Sequence, residues 1–128
     1  CVIPKKPDGI NYLRKLLQSI SDAKTGSFLA ILKLFGPRDE PYLAFASEGY
    51  TLALDFPNRT GTEALFKKLD EIVLQSGGRL YLTKDARMSR TMFEEGYPQL
   101  GLFKAEKKRI DPENRYTSIQ AERLGLVH

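Results

Sequence analysis

The chain has 128 residues, 41% hydrophobic and 28% charged, proportions that build one globular core and leave too little chain for two ordinary domains. Twenty basic against 16 acidic residues give a net charge of +4, an excess suited to a phosphate-bearing ligand and short of a nucleic-acid signature. One cysteine, Cys1, and one histidine, His128, stand at opposite ends, so within this chain disulfide frameworks, zinc clusters and Cys-His or Ser-His catalysis lack their parts. No apolar run approaches the length of a membrane span, and the start lacks a signal-peptide pattern. Cys-Val-Ile-Pro opens without a methionine and directly in a strand, which reads as a chain cut from a longer parent.

Cys1 to Pro4 reads as a short strand, and Asp8 as the cap of a first helix. Ile10, Leu13, Leu16, Leu17 and Ile20 fall at three- and four-residue spacing and predict one apolar stripe along that helix. The run Ser27 to Phe35 is nearly all apolar and predicts a strand covered on both faces, with Lys33 on the same side as Leu29, Ile31 and Phe35. Gly36 to Pro41 is turn chemistry, and Tyr42 to Ala46 reads as a short edge strand. In the next strand Tyr50, Leu52, Leu54 and Phe56 make a large apolar face, while Thr51, Ala53 and Asp55 make a small, polar one. Small residues leave a hollow beside the sheet, and a hollow flanked by a lysine and a tyrosine suits a ligand.

Thr60-Gly61-Thr62-Glu63 matches a capping box at the start of a second helix, whose stripe is Ala64, Leu65, Leu69, Ile72 and Val73. That helix ends on Gly77-Gly78, and Arg79 to Thr83 predicts a fourth strand with Arg79, Tyr81 and Thr83 on one face. Lys84 and Asp85 follow at its mouth, where sheet-based sites place charged groups. The same stretch also reads as an ordinary edge strand with a solvated Lys-Asp pair. Beyond it the pattern is helical over Ser89 to Glu95, Gln99 to Lys108 and Ile119 to Leu126. Lys104, Lys107, Lys108 and Arg109 make either a solvated helix end or an anion contact.

The expected fold is therefore α+β: a ferredoxin-like antiparallel sheet with two helices on one face, followed by a helical C-terminal tail. Residues 1–85 are expected to form the sheet domain. Residues 86–128 are expected to be an extension packing on the sheet or on a domain outside this chain. The opposite sheet face carries Lys33, Phe35, Thr51, Ala53, Arg79 and Tyr81, and is expected to be exposed or covered by something else.

CVIP, GSFLAILKLFG, LALDFP, GGRLYLTKDARMS and RIDPENRYTSIQAERLGL, in that order, resemble the C-terminal portion of FAD-linked oxidases of the vanillyl-alcohol-oxidase type, above all the decaprenylphosphoryl-β-D-ribose 2-oxidase group. The resemblance covers essentially the whole chain. It implies a substrate, or cap, domain that closes over the flavin, with FAD held mainly by an N-terminal domain that this chain does not contain. The implied reaction passes a hydride to flavin from C2 of a ribofuranose carried on a polyprenyl phosphate. By the same resemblance Lys84 and Tyr81 are catalytic and cofactor-contacting, and Lys33, Phe35, Thr51 and Ala53 are substrate-binding. Members of the group carry asparagine and cysteine at the positions of Thr51 and Ala53, a departure that bears on the sugar.

The implied partners are the chain's own FAD-binding domain, a polyprenyl-phosphate sugar, and an epimerase or reductase; no nucleic acid is expected. The implied location is the cytoplasm, near a membrane through the lipid substrate. The isolated chain is expected to bind FAD weakly and to have no turnover. The competing expectation is a non-catalytic ferredoxin-like module that binds RNA or a second copy through the uncovered face.

Overall fold

Alternating side chains over Gly49–Asp55 make β3 the centre of a three-stranded antiparallel sheet of order β1-β3-β2, with β1 at Val2–Pro4 and β2 at Leu29–Phe35. The computed structural model describes residues 1–37 and 41–127. Helix α1 spans Gly9–Asp22 and α2 spans Thr62–Gln75; a 3-10 turn at Leu82–Lys84 precedes α3 (Arg90–Gly96), α4 (Leu100–Ile110) and α5 (Ile119–Arg123). The class is α+β, with helices after the sheet, as the patterning predicts.

The pairing Lys33↔Thr51, Ile31↔Ala53 and Val2↔Thr51 puts these residues on one face. The other face carries Ile3, Leu52 and Leu54 and supports the two long helices, which also pack on each other. Between them lies the core. Ile3, Leu16, Ile20, Leu65, Leu69, Ile72 and Val73 join Met88, Met92, Phe93, Tyr97, Leu100 and Leu124 in one buried cluster. Burying each such side chain contributes about 1.5–3 kcal/mol.

Helix α2 closes as its sequence predicts. Gly77 sits at φ +75°, and Gly78 N–H and Gly77 N–H donate to the carbonyls of Val73 and Leu74 at 2.9 and 2.8 Å, satisfying the helix's last acceptors. Gly78 then passes so close to β1 that a Cβ would lie 2.2 Å from the Val2 carbonyl oxygen. Gly78→Ala is accordingly expected to cost about 3 kcal/mol, read as a lowered urea midpoint; an unchanged midpoint would show that β1 can shift freely.

Several expected details differ. The fourth strand shrinks to a single bridge, Val2↔Arg79, after which the chain coils into the 3-10 turn. Part of the cause is local, since the carboxylate of Asp85 accepts the amides of Arg87 and Met88 in a side-chain-to-backbone turn that competes with a ladder; part is distant, since Gln120 donates to Leu82 O. Thr83 thus lies in the turn rather than on a strand face. Tyr42 to Ala46 forms no strand either; it turns on the bond from Ala44 N–H to Pro41 O and runs across the sheet face. The expected turn over Gly36 to Pro41 lies partly outside the described residues.

Strand β2 is not covered on both faces. It is an edge strand, with Leu32 and Leu34 58% and 60% exposed. A continuous apolar run shows that something prefers to cover it, and cannot show that this chain does. The capping box is also absent. Gly61 occupies the cap position of α2, while the Thr62 hydroxyl donates to Pro57 O and accepts from Arg59 N–H, and Glu63 pairs with Lys67. Asp8 stands at the cap position of α1 without a side-chain bond. Ile10, Leu17 and Ala64 leave the predicted stripes for solvent, because each helix buries a narrower face than its pattern offers.

Candidate functional site

Across the sheet runs one row of paired residues, Lys33, Thr51, Val2 and Arg79, each opposite the next. Strand alternation places all four on the face away from the helices. At one end of the row Arg79 is buried; it donates to Ala44 O at 2.7 Å and lies over the Tyr97 ring, 5.4 Å from its centroid. This arginine thereby fastens the 42–47 segment to the sheet. Beside it the rings of Phe45 and Tyr81 meet at 4.7 Å, tilted by 41°.

Together these pieces enclose a cleft of about 810 Å³. Lys33, Phe35, Thr51, Ala53, Tyr81 and Lys84 all line it, so every residue singled out from the sequence comes to one place. The strand parity that grouped four of them survives. Tyr81 and Lys84 reach the cleft by a different route, from the extended residue before the 3-10 turn and from the turn's last residue. Among the described residues the pairing of the N-terminal segment with β3 ends at the Cys1–Leu52 hydrogen bonds, so the backbone of Ala53–Asp55 has no strand on that side and borders the cleft. The small side chain of Ala53 leaves room there.

The polar groups differ in how they are committed. Lys33 and Lys84 make no ion pair or side-chain hydrogen bond among the described residues, and both are exposed. Thr51 is buried, and its hydroxyl has no hydrogen-bond partner among the described residues. A buried hydroxyl without a bond costs about 1–3 kcal/mol, so this one is an available anchor for a ligand. At the rim, Arg87 forms a two-pronged pair with Asp70 at 2.6 and 2.9 Å and lies over the Phe66 ring.

Sequence reasoning did not find three residues that hold this site. Tyr97 donates its hydroxyl to Leu80 O at 2.6 Å, and burial pushes its phenol up to about 12. Gln120 and Arg123, on α5, bind the segment that carries Lys84: Gln120 reaches Leu82 O at 2.8 Å and Arg123 reaches Asp85 at 2.6 Å. No periodicity links residues 38 apart. Only Asp85 carried a signal, as an acidic residue placed to close a turn.

Burial alone would push the Asp85 carboxyl up. The hydrogen bonds from Arg123, the Met88 and Arg87 amides and Gln120 outweigh it and hold the group below the usual carboxylate range. The folded value is therefore the lower one. Its contribution to stability is present above the unfolded value, about pH 4, and is lost as pH falls through the folded value. The melting temperature of the wild type is expected to fall more steeply between pH 5 and 3 than that of Asp85→Asn. Parallel curves would show that Asp85 does not couple to folding.

Of the basic cluster on α4, Lys107 is committed to Asp111 and Asn114, Arg109 to Glu106, and Lys104 to Glu94. That favours the solvated helix end over an anion contact.

Residues 7–124 match the family model described as D-arabinono-1,4-lactone oxidase. The chain is 32% identical over 120 residues to a decaprenylphosphoryl-beta-D-ribose oxidase of Mycolicibacterium smegmatis, covering 94% of this chain and 26% of that protein. It is 36% identical over 115 residues to an uncharacterized Streptomyces coelicolor protein encoded in the mprA 5' region, covering 89% of this chain and 31% of that one. The chain thus spans about a quarter to a third of the length of these relatives. Because the family match takes in residues 7–124, the chain belongs to the D-arabinono-1,4-lactone oxidase family, whose members are FAD-linked oxidases.

Proposed function

We propose that this chain is the substrate-side portion of an FAD-dependent oxidoreductase that oxidises a CH–OH group of a sugar, C2 of a polyprenylphosphoryl ribofuranose being the favoured substrate. The observation that carries this reading is the convergence on one cleft of Lys33 and Lys84, Tyr81 and the Thr51 hydroxyl, the two lysines and the hydroxyl having no side-chain partner among the described residues. An apolar cleft with a few convergent polar groups is the usual form of a small-molecule site. The name of the mycolicibacterial relative supports the lipid-linked sugar as the substrate class.

The donor set fits one edge of a flavin ring. Lys84 would set a cation beside the ring, and the Phe45–Tyr81 pair offers an aromatic wall. When bound, the flavin supplies the acceptor for the hydride that leaves the carbon, while the hydroxyl proton passes to water and a C=O remains. Lys33 and Phe35 would orient the phosphate-bearing sugar, and Thr51 would bond one of its hydroxyls in the room left by Ala53. The rest of the dinucleotide is assigned to a separate N-terminal FAD-binding domain, for which the chain's 26% and 31% shares of its relatives leave space.

In this reading residues 1–85 form the cap. Residues 86–128 are the extension that joins it through Met92, Phe93 and Tyr97. The keto sugar would pass to a reductase, completing an epimerisation. The protein would work in the cytoplasm, held near the membrane by its substrate; no described helix is long and apolar enough to cross one.

The test is a visible absorption spectrum of a longer polypeptide that includes the relatives' additional length, beside FAD titrated into the 128-residue chain. A flavin spectrum bleached by a polyprenyl-phosphate ribose supports the reading, with weak FAD binding and no turnover expected of the shorter chain. A longer polypeptide that stays colourless with added FAD overturns it.

One observation favours a second reading, self-association: β2 is an edge strand whose Leu32 and Leu34 are exposed, as is Phe28 just before it. Sedimentation of the 128-residue chain tests it, and a monomer at high concentration removes it.

A further inference from the structure

Lys84 has no ion-pair or hydrogen-bond partner among the described residues, so its ammonium group is placed by its own rotamers and by the backbone beneath it. That backbone is a single 3-10 turn, a weak element by itself. It is held instead by side chains from elsewhere. Asp85, next in sequence, has a side chain only 4% exposed, and four donors fill its two oxygens: Arg87 N–H at 2.9 Å and Met88 N–H at 2.6 Å on one, Arg123 at 2.6 Å and Gln120 at 3.2 Å on the other. The Arg123 fork also donates to Met88 O, and Gln120 to Leu82 O. The segment from Leu82 to Met88 is thus tied on both sides of Lys84 to one short helix.

Helix α5 itself buries none of its five residues, and Ile119 is 86% exposed. Polar contacts to the Lys84 segment, together with the buried Leu124 after the helix, are what dock it. Chain economy would have let such a helix fray as an exposed tail. Its side chains are spent on the turn beside the cleft.

We infer that Asp85, Gln120 and Arg123 form a positioning set for Lys84, through which the C-terminal helix α5 fixes the lysine in the cleft. What Lys84 does there rests on the proposed oxidation; that α5 holds it does not. A displacement of about 1 Å at a reacting centre costs up to about 100-fold in rate, so loosening this set is expected to act through Lys84 and not independently of it.

The test is a double-mutant cycle in the flavin-loaded longer polypeptide. Arg123→Gln is expected to slow sugar-dependent flavin reduction by about tenfold with little change in KM, and Arg123→Lys to recover part of the loss. Adding Lys84→Ala to Arg123→Gln is expected to lower the rate far less than Lys84→Ala does alone. Losses that simply multiply would overturn the inference.

Hydrogen exchange on the 128-residue chain separates this from a failure of the proposed oxidation. Should the longer polypeptide reduce no flavin, a protection loss in Arg123→Gln of about tenfold confined to residues 82–88 still supports the set. Unchanged protection, or a loss spread equally over α1 and the core, overturns it. Gln120→Ala, which spares the ion pair, is carried through both measurements in case Arg123→Gln fails to fold.

Discussion

Lys84→Ala is expected to slow flavin reduction by a sugar substrate about 100- to 1,000-fold in the longer polypeptide, the loss that follows removal of one preorganised electrostatic group from an active site. The melting temperature should barely move. The lysine is exposed and has no partner among the described residues, and surface substitutions away from structural contacts usually change stability by less than about 0.5 kcal/mol. Rapid-mixing absorbance gives the rate and a thermal melt gives the stability. A normal rate with a normal melt would move the cationic role to Lys33, the second lysine lining the cleft. The paired variant Lys33→Ala is expected to raise KM more than it lowers kcat, because Lys33 stands on β2 and not in the turn that follows Tyr81.

The largest loss of stability is expected from Phe93→Ala. Phe93 is fully buried, meets the Tyr97 ring at 5.3 Å and sits in the same cluster as Ile3, Leu69 and Val73. Removing such a ring leaves a cavity and costs about 3–5 kcal/mol, enough to lower the melting temperature by roughly 10–20 °C in a domain of this size. The transition should remain single. That outcome would show that the C-terminal helices melt with the sheet as one unit. Two separated transitions would instead make residues 86–128 an independently stable piece.

Much of the fold follows from local patterns. The stripes of α1 and α2 and the glycine stop at Gly77-Gly78 rest on three- and four-residue periods and on the one residue type suited to φ +75°. The two faces of β3 rest on alternation, and that alternation grouped Lys33, Phe35, Thr51 and Ala53 before any contact was known. Local patterns failed where a distant group intervened. The strand expected at Arg79 to Thr83 was displaced by Asp85 and by two side chains of α5, and Thr60 lost its capping role when Thr62 bonded back to Pro57.

Readable from the chain alone are the α+β class, the helices and the central strand, the family, and six of the residues that line the cleft. Each of these depends on spacing within one segment or on motifs in order. Only the tertiary structure decided that β2 is an open edge, that Arg79 pins the 42–47 segment across the sheet, and that α5 holds the turn beside Lys84. Hydrogen bonds between residues 35 or 38 apart, and the choice of which apolar face is covered, depend on how separate elements meet in space, and no local period encodes that.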